Sequence, residues 1–400
     1  MREWPQRASP NAAVPRALAL LGAAALAIAA CGTDPTETST EARLQHTSVS
    51  DTAGLVPADL GRIGHEANQS PTPFVNDEPV VDGIDQDRMA PTVDGSVTIA
   101  FGGDIHFESY LRTRLVDGPN ELLSPVAEMM ADADIAVANL ETTITERGTP
   151  TAKTYNFRAP PVAFDALRAA GIDVVSMANN HGLDFGIEGL EDSLASADEA
   201  GFPVVGIGRN AADAYAPWTA EVNGQRIAII GATQVLDSSL MASWTAAEDQ
   251  AGLASAKEVD RLTGAVAQAR GDHDTVVVFL HWGIEGETCP ADRQLTLSDR
   301  LIEAGADVIV GGHAHRVQGG GRKGDAVVHY GLGNFVFYTD TGPGTESGVL
   351  LVTVTGRTVD EYEWVPAQLR SGVATRLEGE EAAAATDQWE RLRDCTDLER

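Results

Sequence analysis

The sequence predicts an α/β fold with mixed β-sheet, and two patterns along the chain lead to this prediction. Short runs rich in Val and Ile recur between residues 96 and 330, and near-continuous apolar strands of this kind are typical of a buried sheet. Segments with helical spacing of apolar residues lie between several of these runs, and such alternation favours right-handed crossovers. The 400 residues are enough for one large domain or two ordinary ones.

Six apolar runs are predicted strands, and each is followed by a polar or glycine-containing motif. They occupy residues 96–101, 135–138, 173–177, 275–280, 307–310 and 327–330. Two further stretches have the pattern of hairpins. Residues 218–233 contain an Asn-Gly turn at Asn223 and Gly224, and residues 347–369 have a turn near Gly356. The sheet is therefore mixed, or there are two sheets.

Five segments with apolar residues at helical spacing are predicted helices. They occupy residues 121–131, 161–170, 187–200, 255–269 and 293–304. Gly171, Gly201 and Gly305 follow three of them, and glycine is common just past a helix end because it adopts the left-handed conformation without strain. One more helix is predicted over residues 387–398, with Trp389 on its apolar side.

Composition and charge exclude several classes of protein. The chain has 59 Asp plus Glu against 28 Lys plus Arg, a formal net charge of −31, and an acidic surface repels phosphate backbones, so no nucleic-acid partner is expected. Only the N-terminus has a segment apolar enough to enter a membrane, which excludes a multi-span transporter. Three cysteines are too few for a disulfide-dense small scaffold.

Residues 1–30 have the pattern of a bacterial lipoprotein signal peptide. Three arginines precede or begin an apolar run over residues 17–30, whose length is typical of a signal peptide rather than of a membrane span. The run ends in Ile28-Ala29-Ala30-Cys31, which resembles a lipobox, and Cys31 is the predicted lipidation site. The alternative is an ordinary signal peptide with an incidental cysteine. We expect a lipid anchor on the extracytoplasmic face of the cell membrane.

The rest of the chain divides by composition into three parts. Residues 31–94 are polar and rich in Pro, Asn, Asp and Ser, and we predict a disordered tether because such a segment buries little apolar area. One globular domain is predicted over residues 95–370, followed by a helical C-terminal segment at residues 371–400. Cys289 and Cys395 remain after Cys31, an even pair that predicts a disulfide in an oxidising compartment. Two free thiols are the alternative.

Polar side chains suited to metal binding follow the predicted strands, at the sheet edge where open α/β folds bind ligands. They are Asp104, His106, Glu141, Asn180, His181, His281, His313, His315 and Asn334. Five of the nine histidines of the chain are in this set, and imidazole with carboxylate suits Zn²⁺, Mn²⁺ or Fe²⁺. The set contains more potential ligands than one tetrahedral ion needs, so we predict a site for two divalent ions.

Six motifs carry a family resemblance. They are Phe101-Gly102-Gly103-Asp104-Ile105-His106, Asn139-Leu140-Glu141-Thr142, Ala178-Asn179-Asn180-His181-Gly182-Leu183-Asp184-Phe185-Gly186, His281-Trp282-Gly283-Ile284-Glu285, Gly311-Gly312-His313-Ala314-His315 and Gly331-Leu332-Gly333-Asn334-Phe335-Val336. In this order they resemble the CapA-type family of poly-γ-glutamate capsule biosynthesis proteins, over residues 97–338. The family is similar to calcineurin-like metallophosphatases, which implies a four-layer α/β/β/α sandwich with a dinuclear site at the strand ends.

The resemblance also implies roles for individual residues. The implied metal ligands are Asp104, His106, Glu141, Asn180, His281, His313 and His315. His181 would be the catalytic acid or an anion-contacting group. Arg158 would bind a substrate carboxylate or phosphate, with a plain surface arginine as the alternative, and Asn334 is the second predicted substrate-binding residue. The chain departs from the phosphatase pattern at the bridging position, where either Glu141 bridges with its longer arm or Asn139 contributes.

Two functions of different classes follow from the resemblance, and the sequence leaves both open. One is a hydrolase with two divalent ions that cleaves a γ-glutamyl amide or a phosphoester during capsule polymer synthesis or processing. The other is a non-catalytic component that binds an anionic polymer through its metals within a synthesis or export complex. The expected partners are an anionic polymer or phosphorylated substrate and membrane-bound polymer synthase subunits.

Overall fold

The structure is a computed structural model, and it describes residues 95–400. The predicted signal peptide, the lipidation site Cys31 and the predicted tether lie outside the described residues. Within residues 95–400, no helix has the length and hydrophobicity needed to cross a membrane.

The strands of the described part agree with the predicted pattern. They are β1 (Val97–Ile105), β2 (Ile135–Leu140), β3 (Thr143–Ile144), β4 (Arg158–Ala159), β5 (Val174–Ser176), β6 (Val204–Val205), β7 (Ile207–Gly208), β8 (Trp218–Val222), β9 (Gln225–Thr233), β10 (Gly252–Leu253), β11 (Thr275–His281), β12 (Val308–Gly312), β13 (Gly320–Lys323), β14 (Ala326–His329), β15 (Asn334–Val336), β16 (Glu346–Thr355), β17 (Thr358–Arg370) and β18 (Val373–Arg376). The six predicted runs are β1, β2, β5, β11, β12 and β14. The predicted hairpins are β8–β9 and β16–β17, which turn through Asn223, Gly224 and Gly356 at positive φ.

The helices include several whose bounds differ from the predicted ones and several that were not predicted. They are α1 (Tyr110–Asp117), α2 (Pro119–Leu122), α3 (Ser124–Met130), α4 (Ala163–Ala169), α5 (Gly186–Ala200), α6 (Ala211–Ala214), α7 (Met241–Trp244), α8 (Val259–Asp272), α9 (Asp292–Ala304) and α10 (Gly379–Leu392), with 3₁₀ helices at Pro343–Thr345 and Arg393–Cys395. The single helix predicted over residues 121–131 is wrong, because Pro125 lacks the N–H that a continuous helix requires. The helix predicted over residues 387–398 begins earlier and ends at Leu392.

Two large mixed sheets form the centre of the domain. The first sheet has the strand order β15-β18-β17-β16-β1-β2-β5-β6, and the second has the order β13-β14-β12-β11-β9-β8. The neighbours β1, β2 and β5 are parallel in the first sheet, as are β9, β11, β12 and β14 in the second. Antiparallel hairpins complete both sheets. The prediction of a mixed α/β fold is confirmed.

The two sheets pack against each other and carry helices on their outer faces. One buried cluster joins the inner faces, with Ile99 and Val137 from the first sheet and Ile229 and Val277 from the second. A second cluster joins the first sheet to α3, α4 and α5, and a third joins the second sheet to α8 and α9. Burial of these apolar side chains is the main force that holds such layers together. The order of layers is therefore α/β/β/α, as predicted.

The strand register brings the polar motifs together. Asp104 of β1 is level with Asn139 of β2 and with Asn334 of β15. His281 of β11 is level with Gly312 of β12 in the second sheet. Because the carboxyl ends of parallel strands meet at one edge of a sheet, each sheet presents its polar residues at one edge.

The C-terminal segment is attached to both sheets. Strand β18 pairs with β15 and β17, so the first sheet continues past residue 370. Arg322 of β13 and Glu399 exchange two backbone hydrogen bonds of 2.8 Å. Cys289 and Cys395 form a disulfide with Cα atoms 5.7 Å apart, which lies within the range that a disulfide can bridge.

Candidate metal centre

Glu141 lies at the centre of the polar residues, just beyond the end of β2. Its amide donates to the carbonyl of Ile105 over 2.7 Å, and its side chain is fully buried. Its Oε1 atom is 3.5 Å from Nε2 of His281, 3.8 Å from Nε2 of His315 and 3.9 Å from Nε2 of His181. Neither carboxylate oxygen has a hydrogen-bond partner among the described residues. A buried carboxylate without donors is costly unless a positive charge compensates it, so this arrangement fits a divalent cation.

Asp104 is the second buried carboxylate of the centre. Its Oδ2 accepts the amide of His313 over 2.8 Å, and its Oδ1 accepts Nδ2 of Asn139 over 2.8 Å. Burial raises the pKa of Asp104, but the hydrogen bond with His315, the imidazoles of His281 and His315 and the His313 amide together lower this pKa to about 2. The side chain is thus a carboxylate throughout the neutral range.

His281 ends β11 with both ring nitrogens engaged. Nδ2 of Asn139 donates to its Nδ1 over 3.2 Å, so its proton is on Nε2, which donates to Oδ1 of Asn180 over 2.7 Å. Asn139 in turn accepts a hydrogen bond of 3.1 Å from Asn179. The predicted ligand atoms of Asn180 and His281 are therefore adjacent, and a cation would have to replace the proton between them.

His313 and His315 follow β12 on a loop with left-handed backbone, at φ of 89° and 52°. Nδ1 of His315 donates to Oδ1 of Asn334 over 2.8 Å, and Nδ2 of Asn334 donates to the carbonyl of Gly344. In the neutral ring, this pairing leaves the lone pair of His315 on Nε2, toward Glu141. Burial lowers the pKa of His315, but the carboxylates of Glu141 and Asp104 raise it to about 9, so the two carboxylates favour positive charge at this point.

His181 is held by a carboxylate and a lysine that the sequence did not single out. Its Nδ1 donates to Oδ2 of Asp184 over 2.5 Å, and its ring stacks on Phe157 with centroids 3.9 Å apart. Nζ of Lys153 lies 2.6 Å from Oδ1 of Asp184 and also donates to the carbonyl of Asn180. His181 therefore presents Nε2 to the centre, with its orientation fixed by Asp184 and Lys153.

His106 lies beside the centre in an aromatic environment. Its ring is buried against Phe157, Phe337 and Tyr338, with centroid distances of 4.6, 4.0 and 4.6 Å. The amide of Glu108 donates to its Nδ1 over 3.0 Å, and its Nε2 has no partner among the described residues. Burial lowers the pKa of His106 well below the usual value, so the ring is neutral. Metal binding by His106 stays a prediction.

Within residues 95–400, three overlapping groups of His and carboxylate side chains have ligand atoms within 4.8 Å of one another. They are Asp104 with Glu141 and His315, Glu141 with His281 and His313, and Glu285 with His313 and His315. Five of the seven predicted ligands are in these groups, and Asn180 contacts one of them. Glu285 was not predicted as a ligand, although it ends the motif that begins at His281. These donors suit divalent metals.

Comparison with known proteins identifies the family. A family model described as "Bacterial capsule synthesis protein PGA_cap" matches residues 98–339, more than half of the chain. The chain belongs to this family. The predicted resemblance to capsule biosynthesis proteins of CapA type is thereby confirmed.

Two relatives and one solved structure give the extent of the similarity. The chain is 34% identical over 188 residues to the capsule biosynthesis protein CapA of Bacillus anthracis, covering 46% of this chain and 45% of the relative. It is 29% identical over 248 residues to the PGA biosynthesis protein CapA of Bacillus subtilis, covering 61% and 64%. A putative 5'-nucleotidase from Staphylococcus aureus in complex with alpha-ketoglutarate is 17% identical, covers 74% of this chain and 58% of that chain, and has a TM-score of 0.42. The chain thus spans between about half and two thirds of these two relatives.

The two predicted substrate-binding residues of this PGA_cap domain lie in different surroundings. Asn334 is 1% exposed and hydrogen-bonded to His315, as described above. The guanidinium of Arg158 lies over the ring of Phe185, 4.8 Å from its centroid, and the Arg158 amide donates to Glu108. Substrate binding by both residues stays a prediction.

A cleft of about 530 Å³ opens beside the centre of the PGA_cap domain. It is lined by Lys153, Asn180, Val235, Leu236, Asp237, Leu240, Trp244, Gly283, Ile284, Glu285, Arg293 and His313. Two of the proposed donor residues, Glu285 and His313, and the predicted ligand Asn180 therefore border the same space. The size of the cleft is typical of a small-ligand site.

Proposed function

We propose that the protein acts in the synthesis or processing of a capsule polymer of poly-γ-glutamate type, as a hydrolase that requires two divalent cations. The two Bacillus relatives are named as a capsule biosynthesis protein and a PGA biosynthesis protein, which supports a role for this protein with such a polymer. The observation that carries the metal requirement is the buried Glu141 carboxylate, which has no hydrogen-bond partner among the described residues and faces three imidazole nitrogens.

The proposed ligands form two inner sets that share Glu141. Asp104, Glu141 and His315 would hold one cation, and Glu141, His281 and His313 would hold the other, with Asn180 and His106 as further ligands. When bound, such cations supply Lewis acidity toward an ester or amide oxygen. Zn²⁺, Mn²⁺ and Fe²⁺ all suit mixed imidazole and carboxylate donors.

His181 would supply the proton of the reaction. Hydrolysis places the oxygen of water on the acyl carbon or phosphorus and a proton on the leaving nitrogen or oxygen. The only nitrogen of His181 that faces the centre is Nε2, because its Nδ1 donates to Asp184. Protonated at Nε2, His181 delivers this proton and remains oriented as a neutral imidazole by Asp184 and Lys153.

The test combines metal content with hydrolysis. Purified mature protein should contain about two divalent ions per chain, and His313→Ala with His315→Ala should remove most of them. Hydrolysis of a phosphodiester or of poly-γ-glutamate should disappear with a chelator and return with metal. The control is His273→Ala, at the end of α8 and outside the three groups. Full metal content in the double variant would refute this assignment of the metal ligands.

A second candidate function rests on Asn139. The phosphatase pattern has a carboxylate at the bridging position. Here Asn139 donates from its amide to both Asp104 and His281, and the carboxylate is on Glu141, two residues further along the chain. A centre of this kind would suit a non-catalytic component that binds an anionic polymer through its metals, together with membrane-bound synthase subunits. It predicts metal-dependent retention of poly-γ-glutamate by wild-type protein with no release of shorter chains. Asn139→Asp should then increase metal affinity.

We further propose that a lipid on Cys31 anchors the protein to the extracytoplasmic face of the membrane. The support is the sequence Ile28-Ala29-Ala30-Cys31 after an apolar run. Wild-type protein should partition into a detergent phase, because a diacylated cysteine provides at least two chains for stable anchoring. Cys31→Ala should remain an unprocessed precursor or lose the lipid. Equal processing and solubility of both proteins would contradict the anchor.

A further inference from the structure

Glu285 lies on a loop that is attached to the two-histidine loop of the centre. The loop leaves β11 through Trp282, which is fully buried and donates from Nε1 to the carbonyl of Tyr330 over 2.8 Å. Gly283 and Gly286 have φ of 93° and 80°, a conformation that favours glycine. The Gly286 amide donates to the carbonyl of Ala314 over 2.8 Å. The loop is thereby held against the residue between His313 and His315.

This attachment places the Glu285 carboxylate opposite two imidazoles. Ligand atoms of Glu285, His313 and His315 lie within 4.8 Å of one another. Glu285 is exposed to solvent. His313 is 5% exposed, and its buried Nδ1 has no partner within residues 95–400. One carboxylate and two imidazoles form a donor set for a divalent cation.

The position of Glu285 differs from that of the inner carboxylates. Asp104 and Glu141 are fully buried, whereas Glu285 borders the cleft together with His313. Lys153 and Arg293 also line this cleft, and the charge of Lys153 is paired with the carboxylate of Asp184. Asp237 and Glu285 are the two carboxylates that line the cleft, and Glu285 is the one grouped with His313 and His315. A cation from solvent would therefore first meet the histidines of the centre at Glu285.

We propose that Glu285, His313 and His315 form an outer cation position through which divalent ions reach the inner carboxylates. The inference rests on the proposed metal centre and extends it, because it assigns Glu285 to cation uptake rather than to the final inner sets. His313 and His315 each belong to one inner set as well. Since a nitrogen lone pair binds one ion at a time, an ion in the outer position must move inward before the inner sets are complete.

Stopped-flow uptake of Co²⁺ by chelator-treated protein tests the proposal, followed by the visible absorption of Co²⁺ and by elemental analysis of the final product. Glu285→Gln should slow uptake by about tenfold, because loss of a charge that attracts ions in a cleft lowers association rates by such factors. The final Co²⁺ content should equal that of wild type. The matched control is Glu287→Gln, an exposed carboxylate two residues further along the same loop, which should take up Co²⁺ at the wild-type rate.

Each other outcome has a distinct meaning. Equal uptake rates in Glu285→Gln and Glu287→Gln would overturn the outer position and leave the inner centre in place. A lower final content in Glu285→Gln would make Glu285 a permanent ligand and overturn its role in uptake. A wild-type protein that takes up no Co²⁺ would refute the proposed metal centre itself, and the uptake route with it.

Discussion

The two sheets contribute different chemistry to the candidate centre. The first sheet supplies the fully buried carboxylates, Asp104 near the end of β1 and Glu141 just after β2. The second sheet supplies imidazoles, His281 at the end of β11 and the pair His313 and His315 after β12. Carboxylates without a positive partner and imidazoles crowded together are both unfavourable when buried. The centre therefore depends on the packing of one sheet against the other.

Each half of the centre also has a different kind of support. On the side of the first sheet, Lys153 and Asp184 form an ion pair that orients His181. On the side of the second sheet, the loop after His281 is tied to the C-terminal segment by the Cys289–Cys395 disulfide. One support is electrostatic and local, and the other is covalent and closes a long loop. Breaking each in turn separates their contributions.

The largest effect on stability is expected from the covalent support. Cys395→Ser opens a loop with a sequence separation of 106 residues, and the chain-entropy model gives a loss of about 4 to 5 kcal/mol in the free energy of unfolding. Chemical denaturation of wild-type and variant protein measures this difference. Metal content should be retained, because neither cysteine belongs to the metal groups.

Two comparisons control for a local effect of the serine. Cys289→Ser should lower the stability by the same amount, and reduced wild-type protein should unfold together with both variants. A non-reducing digest of wild type should yield one peptide pair that contains Cys289 and Cys395. If oxidised wild type and Cys395→Ser unfold at the same denaturant concentration, the disulfide does not support this half.

The electrostatic support should have a somewhat smaller effect. Lys153→Met leaves the fully buried Asp184 carboxylate without its cation at 2.6 Å, and breaking a buried ion pair from one side costs about 3 kcal/mol. Denaturation measures the loss, and Lys153→Arg should recover part of it. The control is Lys257→Met, because Lys257 is exposed and donates to the carbonyl of Leu236 rather than to a carboxylate. If the free energy of unfolding changes by less than about 0.5 kcal/mol in both methionine variants, the ion pair does not contribute to stability.

The strands and the main ligands could be predicted from the sequence because both depend on local patterns. Buried parallel strands are apolar along most of their length, so the first polar residue after such a run, as at Asp104 or His281, indicates that the strand end is near. The helix broken before Pro125 had its signal in the sequence as well, since proline limits the preceding residue and lacks a donor. The helix break was missed because the prediction used only the spacing of apolar residues.

The supporting contacts could not be predicted in the same way. Lys153 lies on a loop without periodicity, and it meets Asp184 only because the loop packs against the segment after β5. Asn334 was predicted to bind substrate from its motif, and its hydrogen bond to His315 depends on the pairing of β15 beside β1. Contacts between distant segments depend on sheet order, which a single sequence does not encode locally.

At the centre, where the two halves meet, Glu141→Gln should have opposite effects on metal binding and on stability. Loss of the charge shared by both inner sets should weaken metal affinity by about 100-fold, or about 2.7 kcal/mol. The metal-free variant should be as stable as wild type or more so, because a buried carboxylate without donors is removed. Calorimetric titration and denaturation measure the two quantities. Glu146→Gln, an exposed neighbour, is the control, and equal affinity in both variants would exclude Glu141 as a ligand.

The smallest effect is expected at Asn334, where two roles can be distinguished. Asn334→Leu removes the acceptor of Nδ1 of His315, and loss of such a partner weakens metal affinity by about tenfold. Asn334→Asp keeps an oxygen acceptor and should bind metal at least as tightly as wild type. If Asn334 instead binds substrate, the leucine variant should keep its metal affinity and lose only the retention of poly-γ-glutamate. Calorimetric titration with metal, and then with polymer on metal-loaded protein, measures both. Unchanged metal affinity in Asn334→Leu would show that the second sheet holds His315 without help from the first.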